Sequence, residues 1–365
     1  MRVEKITTIN NSSLNACLRN VEASQILQCK PTVLELFAGG GGMALGFEQA
    51  GFQHVLLNEV NKRCCETLKL NRPNWPVEQA DISTLDFKHY RGKVDVVAGG
   101  FPCQAFSVAG KRGGFDDQRG ALFFEYARAV REIQPKLFVA ENVKGLLFHD
   151  KGKTLEVIIK TLSESGYRVL APQLMKAVCY RVPQIRERVF IVGIRNDLNL
   201  NFDFPVPNEK IYTVHDAFKA GELYDADVPA SMGVRYSEKK HQILVQVPEG
   251  GNWKNLPVEV QKEYLGKFYG NGSNTQVARR LAWDKPSYTL LTKPDSKLTE
   301  RCHPKETRPL TIREYARIQT FPDDWDFFGS NSAQYSQIGN AVPVNLAEAM
   351  AESAKSAVLG YGSTH

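Results

Sequence analysis

The stretch that decides the fold runs from Thr32 to Ala50, TVLELFAGGGGMALGFEQA. Thr32-Val33-Leu34-Glu35-Leu36-Phe37 reads as a short strand. Ala38-Gly39-Gly40-Gly41-Gly42 is a loop of minimal side chains. Met43 to Ala50 then reads as a helix, with Met43, Leu45, Phe47 and Ala50 as candidate core positions. Glycines let a backbone approach a ligand closely, and a helix N-terminus offers free N–H groups.

The same rhythm continues outward. His54 to Glu59 is a second strand ending in an acid, and Asn61 is placed to cap the helix that follows. Val94 to Ala98 is a buried strand that stops at Gly99-Gly100. Residues 119–133 read as a helix, and Lys136 to Glu141 as another strand ending in an acid. A helix near 153–165 precedes strands near 167–176 and 188–194. This alternation predicts an α/β fold: a mostly parallel sheet wrapped by crossover helices, with its ligand site at the carboxyl ends of the strands.

From Asn196 the rhythm stops. Residues 196–307 are rich in Pro, Gly, Asn and Lys, which predicts a second, smaller domain of irregular strands and long loops. Residues 311–319 look helical. The tail from Pro343 reads as an Ala-rich amphipathic helix with Pro343 in its first turn. The expected division is an N-terminal arm at 1–30, a first domain at 31–195 plus 335–365, and a second domain with a hinge at 196–334.

Composition narrows the function. The 365 residues carry 46 Lys+Arg and 40 Asp+Glu, a net charge of +6, which permits an acidic partner without demanding one. Seven cysteines in a chain of this length, at 17, 29, 64, 65, 103, 179 and 302, form no CxxC pair and exclude a disulfide scaffold. No His lies at zinc-ligand spacing from them, so no metal is expected. MRVEKITTIN lacks an apolar core, so no secretory signal is expected. No apolar run is long enough to span a membrane, and a reducing cytoplasm is the simplest compartment.

The glycine loop alone leaves its ligand open. Residues 39–44 fit G-x-G-x-x-A, and Glu59 lies 20 positions after Gly39. That suits a dinucleotide, and equally any adenosine cofactor whose ribose bonds to an acid. A tight turn without a ligand is the bland alternative. Asp81-Ile82 follows the next expected strand and is placed to hold an adenine, or merely to cap a turn.

Gly99-Gly100-Phe101-Pro102-Cys103-Gln104-Ala105-Phe106-Ser107 is more specific. A lone cysteine is by default a buried, inert side chain. Here it follows a proline at a strand end, and the basic, glycine-rich segment 110–120 suits closure over a polyanion. Glu141-Asn142-Val143 ends a neighbouring strand. Gln184, Arg186 and Arg188 alternate at period two, so in a strand they share one face.

Together these segments resemble the bacterial DNA cytosine-5 methyltransferases, from about Thr32 to the C-terminus except for the variable middle. The motifs stand in the family's order: FAGGGG at 37–42, Glu59, Asp81-Ile82, GGFPCQAFS at 99–107, ENV at 141–143, QIRERVF at 184–190, RPLTIREYARIQTFP at 308–322 and QIGNAVPVN at 337–345. The resemblance implies a Rossmann-like S-adenosylmethionine-dependent methyltransferase fold. It also implies a reaction in which the target cytosine is flipped from double-stranded DNA. It makes Cys103 the nucleophile that adds to C6 and Glu141 the group that protonates N3. Arg188 would bind O2, and Arg186 would lower the thiolate pKa and grip the substrate.

The resemblance implies cofactor contacts from Phe37, Gly39, Gly41, Gly42, Glu59, Asp81, Ile82, Pro102, Leu122, Asn340 and Val342. Since Asn340 comes from the far end of the chain, residues from about 335 should pack back on the first domain. Ser107, Arg119 and Gln184 are expected at DNA, together with Asn271, Ser273, Arg279 and Arg280 from the middle region, which becomes a target-recognition domain. Residues 276–317 hold ten basic residues against five acids, as phosphate contacts require. A monomer without an obligate protein partner is expected, in functional pairing with a restriction endonuclease. A tRNA cytosine-5 methyltransferase, an NAD(P) oxidoreductase and an inactive DNA-binding protein are the other readings. Cys103, Glu141 and the two arginines are unexplained in the oxidoreductase, and the intact Cys103 and Glu141 speak against the inactive protein. The long middle region and PCQAFS favour DNA over tRNA.

Overall fold

The computed structural model describes residues 30–102, 118–266, 269, 276–296 and 300–360. The elements of the first half are β1 (Thr32–Leu36), α1 (Gly42–Gln49), β2 (Gln53–Glu59), α2 (Lys62–Asn71), β3 (Val77–Gln79), β4 (Val96–Gly99), α3 (Gln118–Ile133), β5 (Leu137–Val143), α4 (Lys153–Glu164), β6 (Tyr167–Val169), β7 (Gln173–Lys176), β8 (Gln184–Ile185) and β9 (Glu187–Arg195). The sheet runs in the order β3-β2-β1-β4-β5-β9-β6, and β7 also pairs with β9. Strands β1 to β5 pair in parallel, whereas β9 is antiparallel to β5, β6 and β7. The chain moves to one side of β1 with β2 and β3, then to the other with β4 and β5. That reversal opens a crevice at the strand ends.

Both faces of the sheet are covered, which explains why its strands are apolar at consecutive positions. Val33, Val96, Val139 and Val192 face a core shared with Met43 and Phe47 of α1 and with Leu346, Met350 and Ala354 of the last helix, α10 (Val344–Val358). Leu34, Val97, Phe138 and Ile191 face the opposite core, filled by Phe123, Tyr126 and Val130 of α3 and by Ile158 and Leu162 of α4. The α1–α10 crossing is close because Gly46 has no side chain: a Cβ there would stand 2.5 Å from Ala347 Cβ. The C-terminal segment thus returns to the sheet, as the position of Asn340 requires. Pro343 is the N-cap of α10, one position before the expected first turn.

The middle of the chain departs from expectation. Among the described residues of 196–307 the only named strand is β10 (Ser287–Tyr288), which pairs with β8, and the other regular elements are short helices. These include α5 (Val214–Phe218), α6 (Glu238–Leu244) and α7 (Val258–Leu265). A small core of Ile243, Leu244, Val247, Leu256, Tyr264, Leu265, Val277 and Ala278 holds this part. Buried Glu300 braces it by accepting from the Ala278 amide (3.1 Å) and pairing with Lys240 Nζ (3.0 Å). Helices α8 (Ile312–Ile318) and α9 (Asn331–Asn340) pack in a third core. That core joins Ala44, Leu57 and Leu68 of the sheet region to Phe218, Leu290, Tyr315 and Trp325. Thr311 begins α8 with a reciprocal cap to Glu314, the T-x-x-E signature of TIRE.

Candidate active site

The carboxyl ends of β1, β2, β4 and β5 converge on a cavity of about 630 Å³. The loop after β1 turns on positive φ at Phe37 (59°), Gly39 (54°) and Gly41 (91°). This aims the Gly39 amide at Glu59 Oε2 (2.8 Å), while the Asn61 amide donates to Glu59 Oε1 (2.7 Å). The acid at the end of β2 is thereby fixed at the cavity wall. Asn61 also accepts from the Arg63 amide at 2.9 Å, the expected helix cap. Behind the loop, Trp325 Nε1 donates to the Gly40 carbonyl at 3.2 Å. A Cβ on Gly42 would lie 2.2 Å from the Val342 carbonyl, so this glycine admits the C-terminal segment to the site.

The other wall is ionic. Glu141 Oε1 pairs with Arg188 Nε at 2.7 Å, with side-chain exposures of 11% and 12%. The antiparallel β5–β9 register places Val143 opposite Arg188 and thereby brings the two side chains together. Burial raises the Glu141 pKa, against the opposing pull of Arg188 and then Arg186. Gly100 is required here, since a Cβ would stand 2.7 Å from Glu141 Oε2. Asn142 Nδ2 donates to the Phe101 carbonyl at 2.9 Å and so fixes the chain leading into Pro102. Pro102, the neighbour of Cys103 in sequence, lines the cavity together with Glu141 and Arg188.

The family model for the C-5 cytosine-specific DNA methylase matches residues 31–356. The chain belongs to this family. It is 58% identical over 325 residues to the type II methyltransferase M.Eco47II of Escherichia coli, covering 88% of this chain and 78% of that one. Among solved structures, it is similar to a putative DNA modification methyltransferase encoded within an E. coli prophage. The TM-score is 0.64 at 27% identity, with 89% of this chain and 98% of the other covered. The S. pombe Dnmt2 methyltransferase shares the fold, with a TM-score of 0.60 at 18% identity over 88% of this chain and 96% of the other. The protein is thus a DNA cytosine-5 methyltransferase.

The methylase brings nine of the fifteen expected catalytic and cofactor residues to one cavity. Phe37, Gly39, Gly42, Glu59, Pro102, Glu141, Arg188, Asn340 and Val342 all line it. Gly41, Asp81, Ile82 and Leu122 are not in that lining. Gly41 sits under Trp325, where a Cβ would be 2.6 Å from the ring. Asp81 caps the turn after β3 by accepting from the Ser83 amide (2.9 Å) and hydroxyl (2.7 Å). Ile82 is buried in the α3-side core, and Leu122 packs against the same core. Cys103, Ser107, Asn271 and Ser273 lie outside the described residues, as does the side chain of Arg119.

Four of the expected residues turn inward in the folded chain. Gln184 is fully buried, and its amide donates to Gln319 Oε1 at 2.7 Å. Arg186 is 1% exposed and donates to the carbonyls of Leu290, Gly339 and Ala341. It shapes the site from behind and does not line the cavity. Arg280 is 4% exposed and donates to Val247, Leu244, His303 and Glu306 carbonyls and to the Thr307 hydroxyl. Arg279 is 7% exposed, donates to the Gly250 carbonyl and lies over the Tyr288 ring. Both are fastened inside the small region.

Other residues matter that the sequence reading did not single out. Glu35 lines the cavity at 1% exposure, and its Oε2 has no hydrogen-bond partner. Burial first, then the charge of Glu59, raises its pKa well above the ordinary value. The signal was present: a carboxylate inside the apolar strand TVLEL. Gln337 also lines the cavity, accepting from Thr67 Oγ1 (2.6 Å) and donating to the Phe328 carbonyl (2.9 Å). Its partners are about 270 and nine positions away, and no local pattern announces them.

Proposed function

We propose that this methylase methylates C5 of a cytosine flipped out of a short, specific sequence in double-stranded DNA. Its cofactor is S-adenosylmethionine, and it acts as a monomer that shields host DNA from a cognate restriction endonuclease. The observation that carries this reading is the buried Glu141–Arg188 pair facing the cavity beside Pro102. The relatives named type II methyltransferase support the pairing with an endonuclease. Residues 196–334 serve as target-recognition domain and hinge in this reading.

The cavity fits the cofactor by its chemistry. Glu59 offers carboxylate oxygens to a vicinal diol, the bent glycine loop exposes backbone to a close approach, and Asn340 closes the opposite side. When bound, S-adenosylmethionine supplies an electrophilic methyl group on sulfur. The chain supplies the rest. Cys103 as thiolate adds to C6 of the flipped ring and makes C5 nucleophilic. Glu141, whose pKa burial raises, gives a proton to N3 as the thiolate adds. Arg188 holds Glu141 and stabilises the charge developing at O2. After methylation a base takes the C5 proton, the C6–S bond breaks to release Cys103 as thiolate, and N3 returns its proton to Glu141. No metal takes part in this scheme.

Bisulfite sequencing of DNA from cells expressing the protein tests this reading. Methylated cytosines confined to one sequence context are expected, and unmethylated DNA contradicts it. The tRNA alternative has a likeness of fold alone behind it, the 18% identity to Dnmt2. Radiolabelled methyl incorporated into tRNA and not into duplex would favour that alternative.

A further inference from the structure

Behind the cavity, three buried side chains form one hydrogen-bonded node. Gln184 and Gln319 are fully buried and Arg186 is 1% exposed. Gln184 Nε2 donates to Gln319 Oε1 at 2.7 Å. Gln319 Nε2 donates onward to the carbonyls of Ile338 (2.7 Å) and Ala341 (3.1 Å). Arg186 Nη2 donates to Gly339 (2.8 Å) and Ala341 (3.0 Å), and its Nη1 to Leu290 (3.1 Å). The Leu290 amide closes the circuit on Gln184 Oε1 at 2.9 Å.

The Ile338, Gly339 and Ala341 carbonyls stand at the end of α9, which stops at Asn340; within the backbone Ile338 accepts a 3.3 Å bond from the Ala341 amide, and the end of the helix is otherwise satisfied from outside. They also flank Asn340, which lines the cavity. The packing leaves little room for the turn to shift: a Cβ on Gly339 would stand 2.3 Å from the Leu291 carbonyl. An apolar side chain at 319 would fill the same volume but remove the shorter of the two bonds to the Ile338 carbonyl and leave the Ala341 carbonyl to Arg186 alone.

We propose that Gln319 is a positioning residue for the methyl-donor site. Its amide holds the Gly339–Ala341 turn, so that Asn340 and Val342 present their groups to the cofactor, although Gln319 itself does not line the cavity. The node also ties this turn to Leu290 of the recognition region and to the segment that carries Arg188. The proposal rests on reading the cavity as the cofactor site.

The test is calorimetric titration of the full chain with S-adenosylhomocysteine, in Gln319→Met and in the milder Gln319→Asn, which keeps the amide and withdraws it by one methylene. Each variant should bind about tenfold more weakly. Its affinity for duplex DNA and its kcat at saturating cofactor should stay within about twofold of the parent. A folded variant with parental cofactor affinity overturns the proposal. So does a parallel loss of cofactor and DNA affinity, which is general loosening, and so does failure of both variants to fold. Glu59→Ala is the control: normal binding there overturns the cofactor reading itself, and this proposal with it.

Discussion

Two arginine-bearing stretches look alike in sequence and differ in the folded molecule. Residues 184–188 place Arg186 and Arg188 at period two, and residues 276–317 carry ten basic residues against five acids. In the first stretch, position within a sheet decides. Arg188 stands on β9 against Glu141 and faces the cavity, while Arg186, two residues earlier, turns to backbone carbonyls. In the second, most of the charge is structural. Arg279, Arg280, Arg301 and Arg317 are buried, Arg308 pairs with Glu306 and Glu314, and Arg313 donates to the Pro322 and Trp325 carbonyls. Lys285, Lys293 and Lys305 are the exposed basic residues among those described. A local charge excess in an irregular region therefore measures how much backbone needs tying down. Few strands or long helices are there to satisfy the carbonyls internally, so buried guanidiniums take that part and, among the described residues, only the exposed lysines are left for an outside partner.

The largest effect that sharpens this contrast is expected at Arg188. Arg188→Ala removes one member of a buried pair and leaves Glu141 uncompensated. Turnover should fall by about 100-fold or more, and stability by about 3 kcal/mol, read from single-turnover rates and urea unfolding. Arg280→Met comes next. It strips partners from four carbonyls and one hydroxyl, so it should cost about 3 kcal/mol in urea unfolding. The salt dependence of DNA binding in the folded fraction should be unchanged. The mirror experiment is Lys293→Ala, which should leave the unfolding midpoint in place and reduce the salt slope of DNA affinity by about one. An Arg280 effect on the slope, or a Lys293 effect on stability, would erase the distinction.

The smallest effect is a pH dependence. The folded chain holds the Glu141 proton to higher pH than the unfolded chain does, because burial raises its pKa. That contribution to stability is fully present below the ordinary carboxylate pKa and is lost as pH rises through the raised value. Urea unfolding of the parent should therefore weaken across that window, relative to Glu141→Gln, which has no proton to lose there. Parallel pH profiles would show that Glu141 ionises normally.

Much of the fold was legible because parallel strands buried on both faces are apolar runs with sharp ends, and those ends carry the chemistry. Phe37, Glu59, Glu141 and Arg188 could each be placed from a strand end or a period of two. The reversed β9 is a different matter: residues 187–195 have the texture of any buried strand, and direction is set by the β5 register, which lies some fifty residues away. The roles of Gln184, Gln319 and Arg280 were not legible either. A buried amide or guanidinium is written with the same letter as an exposed one, and only tertiary contacts reveal which carbonyls it serves. The family resemblance located the motifs and put both arginines at the substrate, whereas Arg188 faces the cavity and Arg186 braces it from behind.

The central claim is a covalent attack by Cys103 on the target ring, and a duplex carrying 5-fluorocytosine at the target position tests it most directly. Fluorine at C5 is not lost as a proton, so the adduct cannot resolve once methylated. Incubation with S-adenosylmethionine should yield a denaturant-resistant protein–DNA complex, with the linkage mapped to the peptide containing Cys103 and absent from Cys103→Ser. No trapped complex from a parent protein that methylates the ordinary duplex, or a linkage at another residue, would contradict the account.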